Sequence, residues 1–477
     1  MNQKIISNFV WRLLERFGAQ GVTLLVTIIL ARLLAPEVYG TVALVTVLMA
    51  ILQVFVDSGL GNALIQKKDA DDLDFSSVFY FNITICLVLY ALLFISAKPI
   101  ASFYNNQELI PLIRVLGINI VISGVKNVQQ AYVSRNLIFK KFFYATLTGI
   151  IGSAFVGILM AYKGYGAWAI VTQMLINSTV DTLILWLIVG WRPKLMFSWK
   201  RLKTLLSYGW KLLISSLIDT CYNKARELII GKVYHASDLA YYNKGEQLPS
   251  NIVINICTAI DSVLFPTMSL HQDNVEQVKG MTKKAIRVST FFILPSMVGA
   301  AICSDTIIRV LFTEKWISCS MYLKIFCITY AFYPIHTANL NAMKALGKSD
   351  VYLKLEVVKK IVGVTFLLIS IQHGPWGIAI SCLLAGLVSQ FINAFPNKSL
   401  LNYGYLEQMK DVLPNLVASL LMGIMVYWVG FLQINMYLVF FIQLLVGVNV
   451  YFALAKLFNL EGFLYIKRIF KNRGVQK

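Results

Sequence analysis

The chain has 477 residues, of which 58% are hydrophobic and only 14% are charged, and its mean hydropathy is +0.68. Soluble domains carry about 25% charged residues, so this composition excludes an ordinary water-soluble enzyme or binding domain. The formal net charge of +20 is typical of proteins that bind nucleic acid or a membrane surface, and the positions of the charges favour the membrane.

Apolar runs in chain order predict fourteen membrane-spanning helices. A helix of about 20 apolar residues crosses the roughly 30 Å of hydrocarbon in a bilayer, and the runs 167–189 and 436–457 reach that length. We therefore predict an all-α polytopic membrane protein. The predicted spans lie near residues 9–34, 41–65, 75–97, 110–134, 143–161, 167–190, 206–231, 248–270, 287–311, 321–343, 354–371, 376–396, 412–430 and 436–456.

Most of the 43 Lys and Arg residues fall in loops on one side of this predicted topology. Cytoplasmic loops of membrane proteins carry an excess of basic residues, so both termini are predicted to be cytoplasmic. These topology signals account for the net charge without a nucleic-acid partner. Residues 1–20 are too polar for a cleavable signal core, so we expect the first helix to be retained. The basic segments are 192–203, 279–287, 344–354 and 467–477.

The two halves of the chain share short motifs in the same order. Residues 11–14 (WRLL) return as 210–213 (WKLL), and residues 57–60 (DSGL) return as 261–264 (DSVL). Internal duplication is typical of transporters, whose two lobes move about a central site. The spans divide into six, six and two, and because six is even the repeats are parallel. The predicted domains are an N-terminal six-helix lobe 1–205, a C-terminal six-helix lobe 206–397, and two further helices with a basic tail in 398–477.

Charged side chains at predicted membrane depth mark the candidate site, because each costs about 2.5–3.5 kcal/mol there and needs a partner or water. The first and seventh spans are the most polar, and we expect them to line a cavity. Its basic residues would bind an anionic head group, and its acidic residues would bind a coupling ion or act as counter-charges. The candidate basic residues are Arg12, Arg16, Lys126, Lys224, Arg226, Lys324 and His336; the acidic ones are Asp57, Asp181, Asp219, Glu227 and Asp261.

A purely structural interpretation of these charges also remains open. Arg226 and Glu227 lie with Asn223 at helical i, i+3, i+4 spacing and could pair with neighbours. Asp57 and Asp261 occupy equivalent positions in the two repeats, and each could make a structural hydrogen bond to a neighbouring helix.

The sequence does not contain the common catalytic or metal-binding spacings. Residues 347–349 (GKS) lack the glycine five positions upstream that a phosphate-binding loop needs, because position 342 is Ala. Neither H-E-x-x-H nor G-x-S-x-G occurs, and the seven cysteines form no C-x-x-C pair. We therefore predict a transporter with no catalytic residue, metal or cofactor, and with no ATPase of its own.

Several segments resemble those of bacterial polysaccharide transporters. Residues 28–40 (IILARLLAPEVYG) are similar to the exit of the first helix in that family, and residues 57–68 (DSGLGNALIQKK) to the end of the second. The combination resembles a lipopolysaccharide, capsule or exopolysaccharide flippase in the polysaccharide transporter branch of the MOP exporter superfamily. Further similar segments are 112–117 (LIRVLG), 135–141 (RNLIFKK), 191–199 (WRPKLMFSW), 228–232 (LIIGK), 264–266 (LFP) and 345–350 (ALGKSD).

The resemblance implies a MATE-like fold of two six-helix lobes plus two trailing helices, and transport by alternating access. It implies a polyprenyl-pyrophosphate-linked oligosaccharide as cargo, moved across the bacterial inner membrane for surface polysaccharide biosynthesis. Basic residues in the cavity would suit the pyrophosphate group. The expected partners are the lipid-linked substrate, the lipid bilayer, and a polysaccharide polymerase with other proteins of the assembly pathway.

Two other functions are weighed against this one. A cation-coupled multidrug antiporter on the same fold would favour an acid-lined cavity, whereas the mid-depth residues of this chain are mixed and tilt basic. A membrane polysaccharide polymerase or glycosyltransferase would need a sizeable loop outside the membrane with acids and arginines, and every predicted loop is short. The sequence favours a flippase over both.

Overall fold

The computed structural model describes residues 3–57, 59–67, 69–136, 138, 140–464 and 467, and their side chains from residue 18 onward except that of residue 208. Over these residues the regular elements are helices. The α-helices are α1 (Gln3–Leu33), α2 (Pro36–Asp57), α3 (Leu60–Gln66), α4 (Asp72–Phe103), α5 (Leu109–Leu116), α6 (Ile118–Arg135), α7 (Lys140–Tyr162), α8 (Ala167–Ile188), α9 (Trp199–Val233), α10 (Ala236–Leu270), α11 (Val275–Ile302), α12 (Ser304–Phe312), α13 (Cys319–Ala331), α14 (Tyr333–Ala345), α15 (Ser349–Ser370), α16 (Gly374–Leu400), α17 (Tyr405–Val429) and α18 (Met436–Leu457).

Long apolar helices confirm the predicted all-α polytopic membrane fold. Within the described ranges, ten helical stretches are long and apolar enough to cross a bilayer. Large apolar side chains project from them into the surroundings, including Phe155, which is 73% exposed, and Leu187, which is 79% exposed. Such exposure is expected of side chains that contact lipid. The predicted count of fourteen spans stays a prediction.

Four predicted spans are each divided into a pair of helices. The span predicted at 41–65 is α2 followed by α3, and the span predicted at 287–311 is α11 followed by α12. The span predicted at 110–134 is α5 followed by α6, which meet at Gly117. The span predicted at 321–343 is α13 followed by α14, with Phe332 between them. Pro334 lies in the first turn of α14 and has no backbone N–H, so a continuous helix would lose a hydrogen bond at this point. Apolar patterning shows where hydrocarbon is crossed, but it does not reveal such interruptions.

The chain falls into two compact units, Met1–Ala240 and Tyr241–Lys477. In the first unit, α7 and α8 form a tightly packed pair, and α1 packs on α7. A Cβ atom at Gly157 of α7 would lie 2.8 Å from Cβ of Gln173 in α8, so glycine permits this close approach. The first helix of the predicted second repeat, α9, packs on α2, α3 and α4 within this unit. The predicted repeat boundary at 205/206 stays a prediction.

The connection from α8 to α9 is fastened to the start of α4. Trp191 Nε1 donates a hydrogen bond to Asp72 Oδ1 at 3.2 Å, and Lys194 Nζ lies 2.5 Å from Asp72 Oδ2. Arg201 Nη1 in the first turn of α9 donates to Asp71 Oδ2 at 2.6 Å. Together these contacts fix the position from which α9 enters the unit.

The hydrogen bond from Arg201 lowers the pKa of Asp71 to about 2. An ordinary aspartate has a pKa of about 3.9, so Asp71 favours the folded state above pH ~4, and this contribution is lost as the pH falls toward 2. The Asp71 carboxyl that contacts α9 is therefore fully ionised at neutral pH.

In the second unit, buried amides join α17, the first of the two trailing helices, to α14 and α16. Asn339 of α14 donates to Gln408 Oε1 of α17 at 2.8 Å, and Gln408 Nε2 donates back to Asn339 Oδ1 at 3.0 Å. Asn397 of α16 donates to the same oxygen at 2.6 Å. All three residues are completely buried, so this network specifies one arrangement of α14, α16 and α17.

Replacing Asn339 with leucine is expected to destabilise the protein by about 2 kcal/mol, because the buried amides of Gln408 and Asn397 would lose an acceptor. Thermal unfolding of the purified protein in detergent measures the effect. Asn449→Leu is the control, since Asn449 is exposed on α18 and its amide donates only to its own helix, at the carbonyl of Leu445. Equal stability of the two variants would contradict this role for the network.

Candidate functional site

A charged turn of α9 is partly buried within the first unit. Lys224 Nζ donates to Glu227 Oε1 at 2.5 Å, and Arg226 and Glu227 are 9% and 8% exposed. The guanidinium of Arg226 lies over the ring of Tyr222, 5.5 Å from its centroid. Formally, Lys224, Arg226 and Glu227 together carry one net positive charge. Asn223 is exposed and is not buried with them.

A second polar cluster lies between α2, α6 and α8. Lys126 of α6 forms an ion pair with Asp181 of α8, and both side chains are largely buried. The next residue of α6, Asn127, donates to Asp57 Oδ1 at 3.3 Å, and Gln53 of α2 donates to the same oxygen at 3.1 Å. Lys126 and Asn127, which are adjacent on α6, therefore contact the two aspartates. The geometry joins three predicted site residues, Lys126, Asp57 and Asp181, in one cluster.

Lys126→Met is expected to destabilise the protein by about 2 kcal/mol, because it leaves the buried carboxylate of Asp181 without its cation. The double variant Lys126→Met with Asp181→Asn should recover most of that loss. Unfolding in detergent, with transport measured alongside, tests this role. If Lys126→Met abolished transport at unchanged stability, Lys126 would contact substrate and not merely pair with Asp181.

The second unit repeats one part of this arrangement. Asn341 Nδ2 of α14 donates to Asp261 Oδ1 of α10 at 2.6 Å. Asp57 and Asn127 make the corresponding bond between α2 and α6 in the first unit. Asp261 also borders a narrow crevice lined by Cys257, Ser289 and Thr337 among others. Each aspartate thus links the helix that carries it to a neighbouring helix.

The remaining predicted site residues lie apart from these clusters. Lys324 of α13 pairs with Asp305 of α12 at 3.1 Å, and both side chains are about half exposed. His336 of α14 is hydrogen-bonded to Asn393 of α16. Asp219 is exposed on α9. Arg12 and Arg16 lie on α1, but their side chains are outside the described part of the structure.

Two groups of residues are not among the sequence predictions. Arg287 of α11 bonds Asp411 of α17 at 2.6 Å and Glu461, which follows α18, at 2.7 Å. The neutral polar residues of α10 form the other group. In the sequence, these α10 residues are amides and hydroxyls that recur every three or four positions. A search restricted to charged residues does not find them.

Taken together, the apolar helices and the ion pairs between them define a multi-pass membrane protein with polar groups held inside its helical units. The chain belongs to the polysaccharide biosynthesis protein family, whose sequence model matches residues 29–321. A second family model, described as lipid II flippase MurJ, matches residues 202–447. The proteins of these families and the structural neighbours are transporters and flippases rather than enzymes.

Individual relatives and solved structures agree with this assignment. The chain is 23% identical over 435 residues to the lipopolysaccharide biosynthesis protein WzxC of Escherichia coli K12, covering 89% of this chain and 88% of that protein. Its fold matches lipid II flippase MurJ in an inward closed conformation with a TM-score of 0.78 at 18% identity, over 94% and 98% of the two chains. An inward-facing multidrug resistance MATE transporter of the MOP superfamily matches with a TM-score of 0.62 at 16% identity, over 80% and 94%.

Proposed function

We propose that this protein is a flippase that moves a polyprenyl-pyrophosphate-linked oligosaccharide across the membrane for surface polysaccharide biosynthesis. The observation that carries the proposal is the buried, net-positive turn of α9 in a chain of the polysaccharide biosynthesis family. A buried guanidinium can bind a phosphate group through two parallel hydrogen bonds, and it keeps its charge at every physiological pH.

Relatives support the cargo class. WzxC is a lipopolysaccharide biosynthesis protein, and MurJ is a lipid II flippase. The proposed site of the pyrophosphate comprises Arg226 and Lys224 on α9, with Arg12 and Arg16 of α1 as further basic groups. Asp57, Asp181, Asp219, Glu227 and Asp261 are proposed as counter-charges or ion-coupling groups, and Lys126, Lys324 and His336 as secondary basic groups.

We place the protein in the bacterial inner membrane with both termini in the cytoplasm. Support comes from the excess of Lys and Arg in the loops assigned to that side. A polysaccharide polymerase and other assembly proteins are the proposed partners, because exported units must be joined after they cross. In this proposal, transport proceeds by alternating access of the two lobes, and the protein carries out no catalysis.

A multidrug antiporter is the second candidate, since a MATE transporter has the same fold. The two family models that match this chain, for polysaccharide biosynthesis proteins and for lipid II flippase MurJ, both favour the flippase. Inactivating the gene separates the candidates. A flippase mutant should accumulate complete lipid-linked repeat units on the inner leaflet. A polymerase mutant would export single units, and a drug-pump mutant would change only drug resistance.

The membrane potential is expected to favour this export. With the cell interior negative, moving one negative charge outward is favourable by about 2.3 kcal/mol per 100 mV, scaled by the fraction of the field crossed. Collapsing the potential in energised vesicles should therefore slow net flipping of the anionic carrier. An unchanged rate would contradict a role for the membrane potential, and outward transport would then need another driving force.

A further inference from the structure

Neutral polar residues form a stripe along one face of α10, in the second unit. Gln247, Asn251, Asn255, Thr258 and Ser262 are all exposed and follow one another at intervals of three or four residues. At about 100° per residue they fall within a sector of about 80°, and at about 1.5 Å per residue they extend over ~22 Å. The helix is nonetheless apolar enough to span a membrane. We call this set the α10 stripe.

Contact with lipid is unfavourable for the α10 stripe, because hydrocarbon forms no hydrogen bonds with amides and hydroxyls. One amide can reduce this cost by bonding its own helix: Asn255 donates to the carbonyl of Asn251 at 2.7 Å, as Asn449 of α18 does to that of Leu445 at 2.8 Å. Asn449, however, is a lone amide beside exposed leucine and valine side chains. Five aligned polar residues indicate a face that meets water or a polar ligand.

The fold itself does not require such a stripe. In the first unit, α2 has the corresponding aspartate–asparagine bond to a neighbouring helix that α10 has in the second. Between residues 41 and 56, however, every residue of α2 is at least partly buried. Its Thr46 and Gln53 side chains donate within α2 itself, to Ala43 and Asp57. Residues 41–56 of α2 therefore carry no such stripe, and we attribute the stripe of α10 to what that helix contacts.

We propose that the α10 stripe binds the sugar residues of the lipid-linked oligosaccharide. The inference rests on the proposed function and adds a subsite for the glycan to the basic turn of α9 that would bind pyrophosphate. Amides and hydroxyls both donate and accept hydrogen bonds, as sugar hydroxyls and N-acetyl groups do. The one charged residue between positions 247 and 262, Asp261, is bonded to Asn341. At one end of the stripe, Lys244 Nζ donates to Gln247 Oε1 at 3.2 Å. The rest of the stripe, from Asn251 to Ser262, fits uncharged sugars, and the length of the stripe suits several rings rather than one.

The test uses the full chain in proteoliposomes, with Asn251→Leu and Asn255→Leu combined. Two probes are compared: the polyprenyl-pyrophosphate-linked oligosaccharide that accumulates when the gene is inactivated, and the same carrier trimmed to one sugar. The double variant should flip the oligosaccharide about tenfold more slowly or worse, since two amide contacts are lost. Its rate with the single-sugar carrier should stay within about twofold of the unmodified protein.

Asn449→Leu on α18 is the matched control and should leave both rates unchanged. Asn255→Gln, which keeps an amide, should retain most oligosaccharide flipping and also shows whether position 255 tolerates change. An equal loss with both probes would overturn the proposal, because the stripe would then serve folding or lobe closure. Unchanged rates with both would overturn it as well. If the unmodified protein flipped neither probe, the proposed function would fail rather than the glycan subsite alone.

Discussion

Replacing Arg226 with alanine is expected to slow export of the lipid-linked oligosaccharide by about ten- to one-hundredfold, with normal amounts of protein in the membrane. The reason is that a charge-assisted hydrogen bond to a phosphate group is typically stronger than a neutral one and contributes about 1.5–3 kcal/mol. The rate of flipping in proteoliposomes measures the effect directly, and polymer at the cell surface measures it in vivo.

Two variants make the Arg226 result specific. Arg226→Lys keeps the charge but loses the planar pair of donors, so an intermediate rate is expected. Arg309→Ala removes an arginine that is 47% exposed and pairs with Glu314 at 3.1 Å, and it should leave export unchanged. Wild-type export by Arg226→Ala would remove this residue from the substrate site. Loss of the protein from the membrane would show that the residue acts in folding.

Replacing Arg287 with methionine is expected to give the largest loss of stability, about 3 kcal/mol. Arg287 is the shared cation of Asp411 and Glu461, and the Asp411 side chain is only 7% exposed. A buried carboxylate left without any partner costs about 3–5 kcal/mol. Arg287 is partly exposed and Lys283 stays beside Asp411, so the expected value lies at the lower end. Unfolding of the purified protein in detergent measures the change.

Asp411 makes two further contacts that serve as controls for this prediction. Tyr403 donates a hydrogen bond to its Oδ2 at 2.7 Å, and Lys283 lies 3.3 Å from the same atom. Lys283→Met should therefore cost less than Arg287→Met, because Arg287 remains as counter-charge. Combining Arg287→Met with Asp411→Asn should recover part of the stability. If Arg287→Met unfolded at the same temperature as the unmodified protein, the cluster would not hold α11 to α17.

The sequence predicts that the elements are apolar helices better than it predicts where those helices begin and end. The spans predicted at 206–231 and 248–270 belong to helices that begin at Trp199 and Ala236. An apolar run marks the part of a helix that lies in hydrocarbon. The helix itself continues through polar residues wherever backbone hydrogen bonds and caps permit. Ser198, for example, caps α9 by accepting from the backbone N–H of Arg201 at 3.5 Å. Interruptions such as that at Phe332 depend on local backbone geometry.

In the candidate site, too, the sequence predicts some features and not others. The repeat predicts that Asp57 and Asp261 are equivalent, and both bond an asparagine of the neighbouring helix. The pairing of Lys126 with Asp181 depends instead on which helices are neighbours, and sequence spacing does not contain that information. Lys324 illustrates the limit of depth assignment, because it lies in an apolar segment yet is about half exposed beside Asp305.

The central claim is that this chain flips a lipid-linked oligosaccharide without an enzyme or an ATPase, and reconstitution tests it most directly. Purified protein in proteoliposomes, supplied with the polyprenyl-pyrophosphate-linked oligosaccharide from gene-inactivated cells, should move that lipid between leaflets much faster than protein-free vesicles do. A membrane-impermeant reagent that modifies the sugar reports how much lipid has reached the outer leaflet. Cooperative unfolding of the same preparation shows that the protein is intact. If that intact protein moved the lipid no faster than protein-free vesicles do, the result would contradict the account.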